Sequence, residues 1–416
     1  MIMLVSLLAV VSLVVRATCI PTDMGSANFT KSQKVMGYYP AYHSSLQSPA
    51  QIPWSLYTDV TFFVAIPELD GSFTYPPGLT SETAEALAGQ FVKEATANKV
   101  LPIMSYGGWT GSKHFSIMVQ DDTNRQKYAR VLIDFAKKFG FKGIDLDWEY
   151  PNAAGIGCNN FTAADTVHFG SFVRELRKQW PEAQYSAALS IGGLLGADGK
   201  VAGANETQLL VENLDFANIM AYDVFGNWAA TTGPIAPIYD SCAPENPASI
   251  NSALAIFTKQ GFKPSQMVLG IPAYARSYEL TSPKLTPRTE EKLVSYYYQN
   301  HTTTAPQGGK TDDPPMIDVC GVQTNWAGIW LVNELMEKGD LSADQLSGGN
   351  GYTRHFDECS GQPFLTNGKY FFSYDDQVSI AAKGKFAKKA NLAGIFFFDT
   401  LGQPQSAIKA GKESLQ

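Results

Sequence analysis

Residues 141–151 read Phe-Lys-Gly-Ile-Asp-Leu-Asp-Trp-Glu-Tyr-Pro. Asp145, Asp147 and Glu149 alternate with the apolar Ile144, Leu146 and Trp148. Successive side chains on a β-strand point to opposite faces, so this spacing sends the three acids one way and the three apolar groups the other. Like charges that close repel, and folding gains nothing from lining them up. Such a row serves a purpose when its titration is shared. One carboxyl is forced to hold its proton near neutral pH and can act as a general acid. An exposed acidic edge strand does not account for the pattern, because Ile144, Leu146 and Trp148 require that the opposite face be covered too. A divalent-metal site does not account for it either, since no His or further acid cluster lies nearby to complete a ligand cage.

Outward from this stretch, short apolar runs rich in β-branched and aromatic residues alternate with amphipathic ones. Strands are predicted at Val35–Tyr39, Val60–Ile66, Val100–Gly107, Gly143–Glu149, Ser186–Ile191, Phe216–Asp223, Met267–Tyr274 and Gly394–Asp399. Helices are predicted at Ser81–Asn98, Asn124–Phe139, Ala163–Gln179, Ser249–Gln260 and Asp376–Ala390. Eight strands alternating with helices predict an α/β fold of the (β/α)8 barrel type. An open doubly wound sheet is the rival, but no glycine-rich phosphate turn follows the first strand. The interval between the seventh and eighth strands is too long for one crossover. Residues 278–367 carry Pro, Gly, Tyr and two cysteines, with a strand-like Leu293–Tyr298 and a helical Ile329–Lys338. A small α+β insertion is predicted there, leaving residues 32–277 and 368–416 to the barrel.

The chain has 416 residues, 44% hydrophobic and 17% charged, which suffices for a large core. Its net charge of −7 argues against a nucleic-acid partner, because phosphates would find nothing to neutralise them. Met1 to Val15 form an apolar run too short to span a bilayer comfortably, with small residues suited to cleavage at Ala17 or Cys19. Residues 1–19 are therefore expected to be a signal peptide and the protein to be secreted. N-x-[ST] acceptor sites at Asn28, Asn160, Asn205 and Asn300 agree with a secreted glycoprotein, and no other segment is apolar enough for a membrane helix. With Cys19 near the cleavage point, Cys158, Cys242, Cys320 and Cys359 remain, an even count that suggests two disulfides with three possible pairings. Cys158–Cys242 and Cys320–Cys359 are the favoured pairs. Cys320 and Cys359 share one loop-rich segment, while Cys158 and Cys242 each follow a predicted strand at the same end of the fold. No C-x-x-C pair supports zinc.

The acidic strand resembles the D-x-x-D-x-D-x-E signature of glycoside hydrolase family 18, the family of many chitinases. The last three acids match and Tyr150-Pro151 trails them as it often does there, while Lys142 stands where the family has its first Asp. Ser105-Tyr106-Gly107-Gly108-Trp109 is similar to the family's S-x-G-G, and Met220-Ala221-Tyr222-Asp223 to its M-x-Y-D. Gly270 to Arg276 resembles G-x-P-x-Y-G-R, with Ala275 in place of the second Gly. Tyr38 and Phe63 sit where the family keeps aromatics under its groove, and Phe398 falls where the family usually has a Trp floor.

The resemblance implies a role for each matching residue. Glu149 would protonate the glycosidic oxygen while the substrate's own N-acetyl oxygen attacks the anomeric carbon, giving an oxazolinium-type intermediate and net retention; this family is an exception to the two-carboxylate scheme. Asp147 would hold the acetamido N–H, Asp145 would set the proton balance of Asp147, Tyr222 would hydrogen-bond the acetamido oxygen, and Asp223 would contact the same sugar and tune Glu149. Tyr38, Phe63, Gly108, Trp109, Met220, Arg276 and Phe398 would line the substrate site. The function implied is that of a secreted, endo-acting, monomeric chitinase that needs no cofactor, takes chitin or chito-oligosaccharides and leaves cellulose alone. Lys142 has the opposite parity to the acids and is expected to point toward the helix layer. Phe398 would give a weaker floor than Trp. Those two departures favour a second reading, a chitinase-like lectin that holds chito-oligosaccharides without turning them over. An endo-β-N-acetylglucosaminidase acting on N-glycans is a third.

Overall fold

In the computed structural model, residues 33–244, 248–290 and 292–416 are described below; the expected signal peptide, Cys19 and Asn28 lie outside them. Eight parallel strands follow one another round a closed barrel: β1 (Lys34–Pro40), β2 (Asp59–Pro67), β3 (Leu101–Gly107), β4 (Gly143–Asp147), β5 (Gln184–Ser190), β6 (Phe216–Met220), β7 (Met267–Pro272) and β8 (Gly394–Phe398). Pairing of β1 with both β2 and β8 closes the ring. The barrel agrees with the alternation read from the sequence. Five strands end one to three residues before their predicted limits. Glu149, Tyr222, Asp223 and Asp399 therefore stand on the rim, beyond the last ladder bonds.

Ile144, Leu146 and Trp148 are buried in the large core between barrel and helices, as their parity requires. The helices begin where side chains can accept from free backbone N–H groups: Thr80 caps Ser81–Ala97, Asp121 caps Asp122–Phe139, Ser249 caps Ile250–Lys259 and Asp376 caps Gln377–Lys389. Sequence periodicity missed two further helices, Phe115–Val119 and Ala204–Asn213, and a last helix, Gln405–Ser414, closes the chain.

A second, antiparallel sheet grows directly out of β7. Tyr274–Glu279 starts after the single residue Ala273 and lies between Ile329–Leu331 and Tyr370–Ser373, beyond which come Gln362–Thr366 and Thr353–Asp357. The stretch predicted as a helix at Ile329–Lys338 is split: its first three residues form the edge strand and Val332–Glu337 the helix. Packing on Tyr274–Leu331 overrides the helical pattern there.

The disulfides are Cys158–Cys320 and Cys242–Cys359, which corrects the expected pairing. Nearness in sequence misled. Cys320 leads into one edge strand of the second sheet, and Cys359 sits in the turn at the other edge. Four strand spacings separate those edges by roughly 19 Å, whereas a disulfide needs Cα atoms within about 7 Å. The turn holding Cys359 instead meets the chain after β6, where Ile238 N donates to Ser360 O at 2.8 Å.

One buried ion pair ties this sheet to the barrel's last helices. Lys383 and Asp375 are both fully buried and joined through Nζ and Oδ2. Asp375 also accepts from Ser379 Oγ at 2.7 Å, and its backbone carbonyl accepts from Gln403. Removing one partner leaves the other charge stranded, at a typical cost of ~3–5 kcal/mol, whereas replacing both by apolar groups is close to neutral. Lys383→Met is expected to lower the urea-unfolding free energy by about that amount, and Lys383→Met with Asp375→Leu to recover most of it. Equal losses in the single and double variants would contradict this account.

Candidate active site

The site is built around Asp145, whose carboxylate is completely buried. Tyr38 Oη and Ser105 Oγ donate to its Oδ2 at 3.1 and 2.9 Å, and Ser186 Oγ and Asn218 Nδ2 to its Oδ1 at 2.6 and 3.3 Å. These donors come from β1, β3, β5 and β6, so strands from around the ring converge on one acid. Burial raises the Asp145 pKa and the hydrogen bonds oppose the rise.

Asp147, two residues on and 3% exposed, has an opposite endowment. Its Oδ1 is buried with no hydrogen-bond partner. Burial, then the charges of Glu149 and Asp145, push its pKa well above the carboxylate range. Glu149 stands at the mouth, and burial, together with the charge of Asp223, raises it to about 7 against a lowering hydrogen bond from Tyr150. The row therefore holds a proton near neutral pH.

Local backbone contacts fix this row. Gly107 has φ +110°, and a Cβ there would lie 2.3 Å from Asp147 O, so only glycine permits Gly108 N to donate to that oxygen at 2.8 Å. Ser112 Oγ donates to Gly108 O and Asp147 O and accepts from Glu149 N at 2.9 Å. Asn159 Nδ2 holds Glu149 O at 2.8 Å.

An aromatic floor lies beside the acids. Phe398 contacts Tyr38, Phe63 and Tyr222 at centroid distances of 5.7, 5.2 and 6.2 Å, and Met220 packs against the same cluster. Gly108 lies under Phe63, where a Cβ would come within 3.0 Å of the ring. Asp223, in the left-handed region at φ +55°, accepts from Arg276 Nε at 2.6 Å. The Arg276 guanidinium lies 4.6 Å over the ring of Trp228, which is 63% exposed. Trp109 is half-exposed just beyond β3.

The sequence model of glycosyl hydrolases family 18 matches residues 34–402, nearly the whole barrel and its insertion. The chain belongs to glycoside hydrolase family 18. It is 34% identical over 373 residues to a chitinase-like effector of Moniliophthora roreri, covering 88% of each chain. Among solved structures, it resembles a chitinase of Rhizomucor miehei with a TM-score of 0.78 at 24% identity, over 92% of this chain and 100% of that one. A family 18 chitinase variant from Cycas revoluta, solved in complex with (GlcNAc)4, superposes with a TM-score of 0.70 at 22% identity, over 92% and 100% of the two chains.

Within this family 18 chain, Lys142 is exposed and precedes β4, at the end of the barrel opposite Glu149. There it lines an open depression of about 620 Å³ with Lys137, Trp180 and Glu182. Its charge does not approach the acids. Ser112, Tyr150, Asn159, Ser186, Asn218 and Trp228 went unassigned in the sequence. Ser186 and Asn218 carried a usable signal: polar residues inside otherwise apolar strands require a buried partner. The loop residues carried none, since only the fold brings them to the acids. Of the glycosylation candidates, Asn160, Asn205 and Asn300 are exposed. Among the described residues, no helix is long and apolar enough to cross a membrane, and no metal-binding cluster of His, Cys, Asp or Glu occurs.

The causes of the Glu149 shift set two opposite expectations. Asp223→Asn removes a negative charge that disfavours the ionised form, so Glu149 should titrate below about 7. Tyr150→Phe removes a donor that favours the ionised form, so the titration should move upward. Carbon-13 NMR of glutamate-labelled protein, with Glu149→Gln to assign the signal, measures both; shifts in the same direction would refute the electrostatic account.

Proposed function

We propose that the protein is a secreted chitinase that hydrolyses β-1,4-linked N-acetylglucosamine chains with retention, using the substrate's own acetamido group as nucleophile. The observation carrying this reading is the intact acid row, with Glu149 raised to about 7 at the mouth and Asp147 buried behind it, its Oδ1 without a hydrogen-bond partner. In this reading Glu149 is protonated in the resting state and donates to the leaving oxygen. The one proton the row shares is then on Glu149, so Asp147 is anionic and its free Oδ1 accepts the acetamido N–H as positive charge develops on the ring. Asp145, held by four donors, sets the proton balance of Asp147. The Tyr222 hydroxyl donates to the acetamido oxygen, and the sugar lies on Phe398.

A second reading, binding without turnover, is supported by two observations. A relative sharing a third of the sequence is named a chitinase-like effector. Phe398 also offers less stacking area than an indole and no N–H donor. Every group that moves a proton is nevertheless present, and the charge at Lys142 lies at the far end of the barrel, so hydrolysis is the better-supported function.

Chitohexaose followed by mass spectrometry and NMR tests it. The wild type should release shorter oligomers with retained β-configuration and leave cellohexaose intact. Glu149→Gln should lose ~10²–10⁴-fold in rate while still binding the sugar. Binding by the wild type without cleavage would instead establish the lectin-like reading. Phe398→Trp should strengthen hexamer binding by about 0.5–1.5 kcal/mol, read by calorimetry.

A further inference from the structure

The chain between two positions of the second sheet's edge forms a closed loop whose tip is fastened to the far side of the barrel mouth. Its neck is pinned by one buried acid: Asp312 accepts from Gly308 N at 2.9 Å, Gly328 N at 3.1 Å and Ile329 N at 3.2 Å. Residues 313–327 thus leave and return at one point, as in an Ω-loop. The neck stands at the site itself, since Ile329 pairs with Arg276 and packs against the Tyr38–Tyr222 cluster.

The tip is a small hairpin. Thr324 N donates to Met316 O at 2.8 Å and Asp318 N to Val322 O at 2.9 Å. Asp318 Oδ1 accepts from Cys320 N and Val322 N, both at 2.8 Å. Cys320 is bonded to Cys158, in the loop after β4. The next residue, Asn159, holds the backbone of Glu149, and Asn160 reaches Lys113 after β3. The neck therefore belongs to β7 and the tip to the rim between β3 and β4. These positions lie across the ring in the strand order. Eight extended residues from Asp312 to Cys320 reach at most ~26–29 Å, enough to cross the mouth. Burial dominates the titration of Tyr42 and His43 after β1, and the charge of Asp313, near the start of the crossing, reaches both of them on the side of the ring away from β5 and β6. Packing does little to hold the tip, for Met316, Ile317, Val319 and Val322 are 40–57% exposed. The disulfide keeps it in place.

We propose that residues 313–327 are a covalently fastened strap across the substrate groove, so that short chito-oligosaccharides and chain ends enter while the middle of a long chain is shut out. The inference rests on the chitin-handling function proposed above and replaces the endo-acting expectation with a size and end preference.

The full chain carrying Cys158→Ser and Cys320→Ser, with Cys242–Cys359 untouched, tests it. A second variant, in which Gly-Gly-Ser-Gly replaces residues 314–326 alongside Cys158→Ser, removes the strap while keeping its neck. Hydrogen exchange reports cover independently of any sugar. Peptides around Tyr42–Ser44 and Trp109–Ser112 should exchange at least tenfold faster in both variants, with β4–β6 unchanged. Calorimetry then compares chitotriose with high-molecular-weight, end-blocked glycol chitin. Polymer affinity should rise at least tenfold, while trimer affinity, which also certifies the fold, changes less than threefold. Unchanged exchange, or an unchanged preference between polymer and trimer in variants that still bind the trimer, overturns the strap alone. A wild type that binds neither sugar overturns the proposed function, and this inference with it.

Discussion

A carboxylate sealed inside a barrel must be given donors or be neutralised, and Asp145 is given four from four different strands. That constraint organises the site. Tyr38, Ser105, Ser186 and Asn218 are committed to Asp145, and each must lie on an inward-facing position of its strand. The register that places them, Ser105 opposite Asp145 and Asp145 opposite Ser186, also brings the strand ends together round the mouth. With its hydrogen bonds spent on Asp145, the barrel interior offers none to the free Oδ1 of Asp147. Two neighbouring acids on one strand face therefore have different environments: hydrogen bonds oppose the upward push of burial on Asp145, and on Asp147 burial and the charges of Glu149 and Asp145 act together.

The mouth extends this logic outward. Strand β4 ends at Asp147, so Glu149 is positioned by loops rather than by the ladder. Ser112 from the β3 loop and Asn159 from the β4 loop hold its backbone at both N and O. Its carboxyl lies between the lowering hydrogen bond of Tyr150 and the raising charge of Asp223. Asp223 is in turn paired with Arg276 on the first strand of the second sheet. The second sheet is thus coupled electrostatically to the acid, as well as standing beside the groove. Both disulfides act in the same direction, each joining a barrel loop to the insertion.

Substitutions away from the family pattern differ in their physical reach. Lys142 looked like a loss in the signature, yet its side chain is in solvent at the base of the barrel, where a charge costs little. Phe398 is different, because it sits among Tyr38, Phe63 and Tyr222, in the floor where a sugar ring would lie. Position relative to the acids decides what such a change can do, and a count of motif matches does not.

The sequence by itself determined the barrel, its strand positions and the row of acids, because period-two alternation in β4 and apolar strands spaced by helices are local patterns set by backbone geometry. It also carried the aromatic cluster through its motifs. Only the tertiary structure decided which cysteines meet, since Cα proximity depends on how the barrel loops and the insertion fold together, which brings Cys158 to Cys320 over 162 residues of chain. It alone decided that Ile329–Leu331 is a strand, where pairing with Tyr274–Arg276 outweighs a helical periodicity. And it alone decided how the three acids share their charge, because a pKa is set by buried donors and neighbouring ions that come from distant parts of the chain.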